Sequence, residues 1–292
     1  MGNKRGFTLV EVLIAMAVTA LIMTAAYTAF DSQQKTTTIQ TNVSDMQQNL
    51  RAALDFMARD IRLAGCNPGK HDLNSAPEVF GILDIGFKDI TTAMSQDADY
   101  KSIDPANYAG SGVSYIRISW DKNENGQVDS ANEIVDYSLV DGATITPGVR
   151  DLFMRFPEGG NTKDVLASNI IALGLAYAYD NNDNGELEQD GGNIRWVVAP
   201  SGATGNWQSL NEATGALTDL GPGNAVDLNN IRAVKVWFLA EAEAPDRDYN
   251  DTNTYIVGPH IVTPANYNAD RRHRLLEREI FCRNLGLEVL TQ

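Results

Sequence analysis

From Phe7 to Ala64 the chain contains neither glycine nor proline, although its 292 residues include 24 Gly and 10 Pro. A stretch without these breakers is free to run as one helix. Its first half is apolar. Between Phe7 and Phe30 the one charged side chain is Glu11, and Lys4 and Arg5 stand just ahead. The 19 residues from Val12 to Phe30 carry no charge. At about 1.5 Å per residue they span close to the roughly 30 Å hydrocarbon layer of a bilayer. A basic flank before such a span holds the amino terminus in the cytoplasm and sends the following chain across. No small-residue cleavage site closes the span, because Thr24-Ala25-Ala26-Tyr27-Thr28 leads into more helix-compatible sequence. The segment therefore reads as a retained anchor, not a removed secretory signal.

Past Asp31 the apolar residues thin to Ile39, Val43, Met46, Leu50, Leu54, Met57 and Ile61. They recur every three or four positions, which is one helical stripe. No charges flank the stripe systematically, so it reads as the packing face for a globular domain and not as a coiled-coil seam. Thr36, Thr37 and Thr38 have poor helix propensity and mark where this helix would most easily bend. Gly65 and Pro68 stop it.

Charge divides where the glycines begin. Residues 1–64 carry 6 basic and 5 acidic side chains, and residues 65–292 carry 17 and 33, for a net charge of -15. That acidity argues against general binding to nucleic acid or anionic lipid. With 43% hydrophobic and 21% charged residues, the chain is not disordered by composition. Beyond Cys66, Val113–Trp120, Glu133–Val140, Ile171–Tyr179, Ile194–Ala199 and Ile231–Leu239 read as strands by alternation and β-branched content. The expected class is α+β, a long amino-terminal helix with an antiparallel sheet laid against its stripe, in a single head.

Glu11 costs free energy within an apolar span. It either reaches headgroup water or pairs with a cation. Gly6-Phe7-Thr8-Leu9-Val10-Glu11 behind a short basic leader resembles the class III signal of type IV pilins and type II secretion pseudopilins. The resemblance implies cleavage by the prepilin peptidase after Gly6 and N-methylation of Phe7. It also implies a partner for Glu11, the amino-terminal ammonium of a neighbouring subunit, which would set the register of assembly. The implied division is a leader at 1–6, a transmembrane and filament-core helix at 7–30, its extramembrane continuation at 31–65 and a β-rich head at 66–292.

Ala53 to Gly65, with its Arg59-Asp60-Ile61-Arg62 core, resembles the end of the helix in PilW-type minor pilins. Arg271–Arg274 leading to Cys282-Arg283-Asn284-Leu285 is similar to the closing strand of that family, although Leu275, Leu276, Ile280 and Phe281 would also suit one face of a helix. The arginines read as salt-bridge partners within an acidic head. In the oxidising periplasm that the resemblance implies, Cys66 and Cys282 are expected to form one disulfide, with free buried thiols as the alternative.

Two loops are calcium candidates. Asp121, Asn123, Asn125 and Asp129 alternate around Gly126, with Glu133 just beyond; Asp180, Asn182 and Asn184 precede Gly185, with Glu186, Glu188 and Asp190 able to add oxygens. Hard cations require such convergent oxygen donors. The twelfth loop positions are Asn132 and Gly191, not glutamate, and a polar hairpin tip is the alternative. A third acidic loop at Asp246, Asp248 and Asp251 lacks the glycine and reads as solvated. His71, His260 and His273 show no metal-ligand spacing, and no nucleophile elbow or phosphate loop occurs. No enzyme chemistry is expected.

The resemblance implies a minor pilin of the type IV pilus that helps initiate assembly at or near the filament tip. Its partners would be other major and minor pilins, the prepilin peptidase and the inner-membrane assembly machinery. It would sit in the inner membrane with its head in the periplasm before assembly, and on the pilus or cell surface afterwards. A minor pseudopilin of a type II secretion system, and a tip adhesin with calcium-stabilised loops, are the alternatives.

Overall fold

The computed structural model describes residues 7–66, 81–89, 112–125, 128, 132–141, 150–156, 162–182, 184–199, 206–264 and 269–285. Helix α1 runs from Leu9 to Leu63, inside the stretch without glycine or proline. It ends where Gly65 takes φ +78°. There Ala64 N–H donates to Asp60 O at 3.0 Å and Cys66 N–H to Leu63 O at 2.8 Å, which satisfies carbonyls the last turn would leave open.

The chain divides into two compact units, Met1–Asp45 and Met46–Gln292. In the first, none of the described residues is buried. An 18-residue window reaches mean hydropathy 2.3, long and apolar enough to cross a membrane. The threonine run does not interrupt the helix. Thr36, Thr37, Thr38 and Thr41 each donate their hydroxyl to the carbonyl four residues earlier at 2.9–3.0 Å. The side chains thus find acceptors without leaving helical geometry.

In the second unit the stripe is buried as its spacing predicts. Met46, Leu50, Leu54, Met57 and Ile61 are covered, and Ala53 and Ala58 widen the face. Each large side chain among them contributes about 1.5–3 kcal/mol by leaving water.

Among the described residues the head carries two main sheets, not one, and two short ribbons. Strands β1 (Gly81–Asp89), β2 (Gly112–Ser119), β3 (Ile134–Asp141), β4 (Arg150–Phe156) and β5 (Thr162–Ala167) form an antiparallel sheet in chain order. There follow β6 (Ile170–Tyr179), β7 (Gln189–Asp190), β8 (Asn193–Ile194), β9 (Val197–Val198), β10 (Gln208–Asn211), β11 (Ala216–Asp219), β12 (Ile231–Glu241), β13 (Tyr255–Val257), β14 (His260–Val262) and β15 (His273–Phe281). Of these, β11-β10-β9-β6-β12-β15 is a six-stranded sheet, and β7-β8 and β13-β14 are separate two-stranded ribbons. The expected strand Ile194–Ala199 is therefore two short pieces in different sheets, separated where Arg195 N–H turns to Glu188 O at 2.8 Å.

All ten residues of β6 are buried, so both faces of the six-stranded sheet are covered at this strand. One buried cluster gathers Ile171, Ala176, Trp196, Val198, Trp237, Leu239, Val257 and Val262. The β13-β14 ribbon lies so close that a Cβ on Gly174 would stand 2.2 Å from Val257 O. The closing segment is a strand, as the resemblance implied, and pairs with β12 from Ala233↔Phe281 to Glu241↔His273. Leu285 then packs against Gly65 and Gly81, tying the end of the described chain to the end of α1.

Candidate functional site

The amino-terminal turn of α1 is built by a reciprocal pair. Thr8 N–H and Thr8 Oγ1 donate to Glu11 Oε2 at 2.9 and 3.0 Å, and Glu11 N–H donates to Thr8 Oγ1 at 3.3 Å. This is a capping box, in which a threonine and the glutamate three residues later satisfy each other's backbone donors. Glu11 shares one helix face with Phe7, Val12, Ala15, Met16, Thr19, Ala20 and Met23, which together line a shallow groove. The face is exposed, with Phe7 at 89%. It presents one carboxylate on an otherwise apolar surface, an arrangement suited to seating another apolar helix that brings a cation. Gly6 lies outside the described residues.

At the other end of α1 a buried polar anchor joins helix to sheet. Asp60, 2% exposed, accepts the Tyr137 hydroxyl at 2.5 Å and Arg59 Nε at 3.1 Å. Burial, and then the charge and hydrogen bond of Asp60, push the Tyr137 phenol well above its ordinary range. Asp55 pairs with Arg278 of β15 at 2.5 Å, and Asn284 Nδ2 donates to Arg62 O at 2.9 Å. The Arg59–Arg62 motif thus sits where α1 meets the five-stranded sheet and the segment that follows β15.

The two candidate calcium loops are self-capped. Asp180 is 2% exposed and accepts from Asn184 N–H at 3.2 Å and Gly185 N–H at 2.8 Å. Asn182 and Asn184 bond to the backbone two residues on. Glu186 and Asp190 are exposed and Glu188 is half-buried. In the first loop Asp121 and Asn123 accept from Asn125 N–H at 3.2 and 3.0 Å. Glu133, fully buried, accepts from Lys122 and Asn123 N–H at 3.2 Å each. Asp129 lies outside the described residues. Among the described residues no group of three His, Cys, Asp or Glu side chains is arranged to hold a metal ion. The calcium expectation therefore gains no support from this geometry.

The expected disulfide is not formed, and Cys66 and Cys282 are both free. Each is fixed by its own backbone contacts. Cys66 O accepts from Asp121 N–H, and Cys282 N–H donates to Arg232 O, both at 2.8 Å. Burial pushes the Cys282 thiol up to about 12 despite nearby Arg232, which disfavours the thiolate that disulfide formation requires.

The third acidic loop departs from the reading as solvated. Asp251 is 1% exposed and accepts from Tyr255 and His273 at 2.9 Å each. The carboxyl-terminal arginines form ion pairs as expected, Arg272 with Asp246 at 2.8 Å and Arg271 with Glu241 at 3.8 Å. The sequence reading missed Lys235 altogether. Its ammonium lies 5.6 and 5.3 Å from the Trp196 and Trp237 ring centroids and bonds to Glu212 and, at 3.0 Å, to Glu279. His260 Nε2 meets Ser114 Oγ at 3.1 Å, and His71 lies outside the described residues.

No curated protein matches the chain. Among solved structures it is similar to a type IV-like pilin from Thermus thermophilus at 11% identity, over 82% of this chain and 97% of that one, with a TM-score of 0.36. Residues 1–27 match the prokaryotic N-terminal methylation motif. Residues 39–214, more than half of the sequence, match the prepilin peptidase-dependent protein B family. The chain is accordingly a prepilin-type, type IV pilin-like protein, and it belongs to the prepilin peptidase-dependent protein B family.

Proposed function

We propose that this protein is a minor subunit of a type IV pilus, helping to initiate assembly at or near the filament tip. The observation that carries the reading is the lone carboxylate of Glu11 on the exposed apolar face of α1. An uncompensated carboxylate is costly in an apolar environment, so a neighbour bringing its amino-terminal ammonium favours one axial register. The head would lie in the periplasm before assembly and at the filament surface afterwards. The role is structural, with other pilins, the prepilin peptidase and the inner-membrane machinery as partners.

Glu11→Ala tests this directly. Leader cleavage should persist while incorporation into filaments falls sharply, as read by immunoblot of sheared fibres. Normal incorporation overturns the register role. A minor pseudopilin of a type II secretion system shares the same anchor and is the competing reading. Pulldown of secretion components in place of pilus components favours it.

A further inference from the structure

We propose, resting on the reading of this chain as a pilus subunit, that the outer face of α1 from Arg51 to Leu63 docks the head of another pilin-type subunit. The fitting partner surface is an apolar patch rimmed by carboxylates. Helix α1 lays Leu50, Ala53, Leu54, Met57, Ala58 and Ile61 into its own head. Turned the other way are Ala52, Phe56, Arg59 and Leu63, spaced four, three and four residues apart. That spacing stacks them along one line of the helix. The line lies on the side facing water, where an amphipathic helix carries polar residues. Phe56 is nevertheless 48% exposed and Leu63 36%. Such apolar side chains on the polar face depart from what folding alone requires.

The cations beside this line exceed what the fold uses. Arg59 lies over the Phe56 ring, 5.7 Å from its centroid, and its Nε donates to buried Asp60 at 3.1 Å. Asp55 is answered by Arg278 of β15 at 2.5 Å. Arg51 and Arg62 are both exposed, and neither side chain has a bonding partner among the described residues. Four guanidinium groups thus stand against two carboxylates. The chain from 65 to 292, by contrast, carries 17 basic and 33 acidic side chains.

A local positive field around an exposed aromatic ring selects a partner with acidic groups around an apolar patch. Aromatic residues and arginine are the types enriched in interface cores. The Arg59 guanidinium holds the Phe56 ring before a partner arrives, which lowers the ordering cost of binding. A nucleic-acid backbone fits less well, because its phosphates would also meet the acidic remainder of the head. A minor subunit has few copies of itself to meet, so the neighbour is a different pilin-type chain.

The test places the photocrosslinker p-benzoylphenylalanine at position 56 of the full chain in piliated cells, with Glu11 intact. Irradiation should trap a different chain that mass spectrometry identifies as one made with a class III signal. Its crosslinked peptide should carry Asp or Glu. The same crosslinker at position 52 leaves Phe56 in place and should trap the same chain. Arg51→Glu combined with Arg62→Glu should cut the yield about tenfold or more. The melting temperature should hold, since neither side chain is bonded within the head. Arg51→Lys with Arg62→Lys should keep most of the yield. No crosslink at either position, a crosslink only to a second copy, a trapped chain without that signal, or a yield indifferent to charge reversal overturns the proposal. If Glu11→Ala blocks incorporation but charge reversal leaves the yield unchanged, this surface falls and the assembly reading stands. If Glu11→Ala incorporates normally and the crosslink still depends on charge, the register role falls and this surface stands.

Discussion

The hydroxyl of Tyr137 on β3 donates to the buried carboxylate of Asp60 on α1 at 2.5 Å. The bond joins residues 77 positions apart in sequence and places a charge-assisted contact inside an otherwise apolar packing face. Tyr137→Phe strands the carboxylate with Arg59 as its remaining side-chain donor. That change should cost about 1.5–3 kcal/mol, read by urea unfolding of the chain. Asp60→Asn keeps an acceptor for the hydroxyl and should cost less. Equal losses in the two variants would show that the charge on Asp60, and not the presence of an acceptor, carries the contact.

Thr8 should matter as much to the start of α1 as Glu11 does. Thr8→Val removes the hydroxyl that both gives and receives a bond in the capping box. The expected loss is about 1 kcal/mol at the helix start, seen as faster amide exchange confined to residues 8–12. Thr8→Ser should restore protection. Unchanged exchange in Thr8→Val would mean that the surrounding bilayer, not the box, orders the first turn.

The carboxyl-terminal tie rests on two glycines. Gly65 has φ +78°, and a Cβ there would meet Leu285 Cδ2 at 2.7 Å. Gly65→Ala combines backbone strain with displacement of Leu285, so it should cost more than about 1 kcal/mol. Leu285→Ala leaves the space empty, at about 2–3 kcal/mol. Thermal melts of the two single variants and the double should show less than additive losses, since both act on one contact. Strict additivity would place the two residues in separate contacts.

How much of this could be read beforehand depended on which face a residue serves. The long helix, its buried stripe and the cores of β2, β3, β6 and β12 follow from missing breakers, periodicity and β-branched content. The strands β1, β4 and β5 are less legible, because Asp84, Gly86, Arg150, Asp151, Arg155, Lys163 and Asp164 interrupt their apolar residues with charge and glycine. Their pairing supplies what their composition does not. Thr8-Leu-Val-Glu11 does carry the capping-box signature. The same glutamate also carries the membrane cost, so two roles coincide on one residue. Lys235 and Asp251 were misleading for a different reason. Charge in a strand or acidic loop normally means solvent, and only the tertiary fold brings Trp196, Trp237 and Glu279 to one, and Tyr255 and His273 to the other.

Lys235 predicts how the head fails in alkali. Burial works to lower the ammonium, but the bonds and charges of Glu212, Glu279 and Glu277 prevail and raise it above its ordinary value. For a raised lysine the stabilisation is fully present below the unfolded value of about 10.4, and is lost as pH climbs through the folded one. Thermal melts should therefore hold steady through neutral pH and drop above about pH 10.5. Lys235→Met keeps contact with the two tryptophans but has no proton to lose. It should start from a lower midpoint and show a shallower alkaline drop. Parallel pH profiles for the two proteins would remove Lys235 from the account.

Asp180 tests whether the second polar loop needs an ion. Its two carboxylate oxygens already receive Asn184 and Gly185 N–H groups, and Gly185 adopts φ +81°. The turn is thereby closed by its own backbone, as an Asx-type loop is. Asp180→Ala removes the acceptor of two loop N–H groups and should lower the melting temperature by a few degrees, consistent with about 0.5–1.5 kcal/mol in a head of this size. Because the donors are internal, the drop should be the same in chelator and in millimolar calcium. Asp180→Asn keeps one acceptor oxygen and should recover part of the loss. A wild-type melt that rises with calcium while the Asp180→Ala melt does not would show that a cation completes the loop. Asn182 Oδ1, Asn184 Oδ1 and the half-buried Glu188 would then be the oxygens to substitute next.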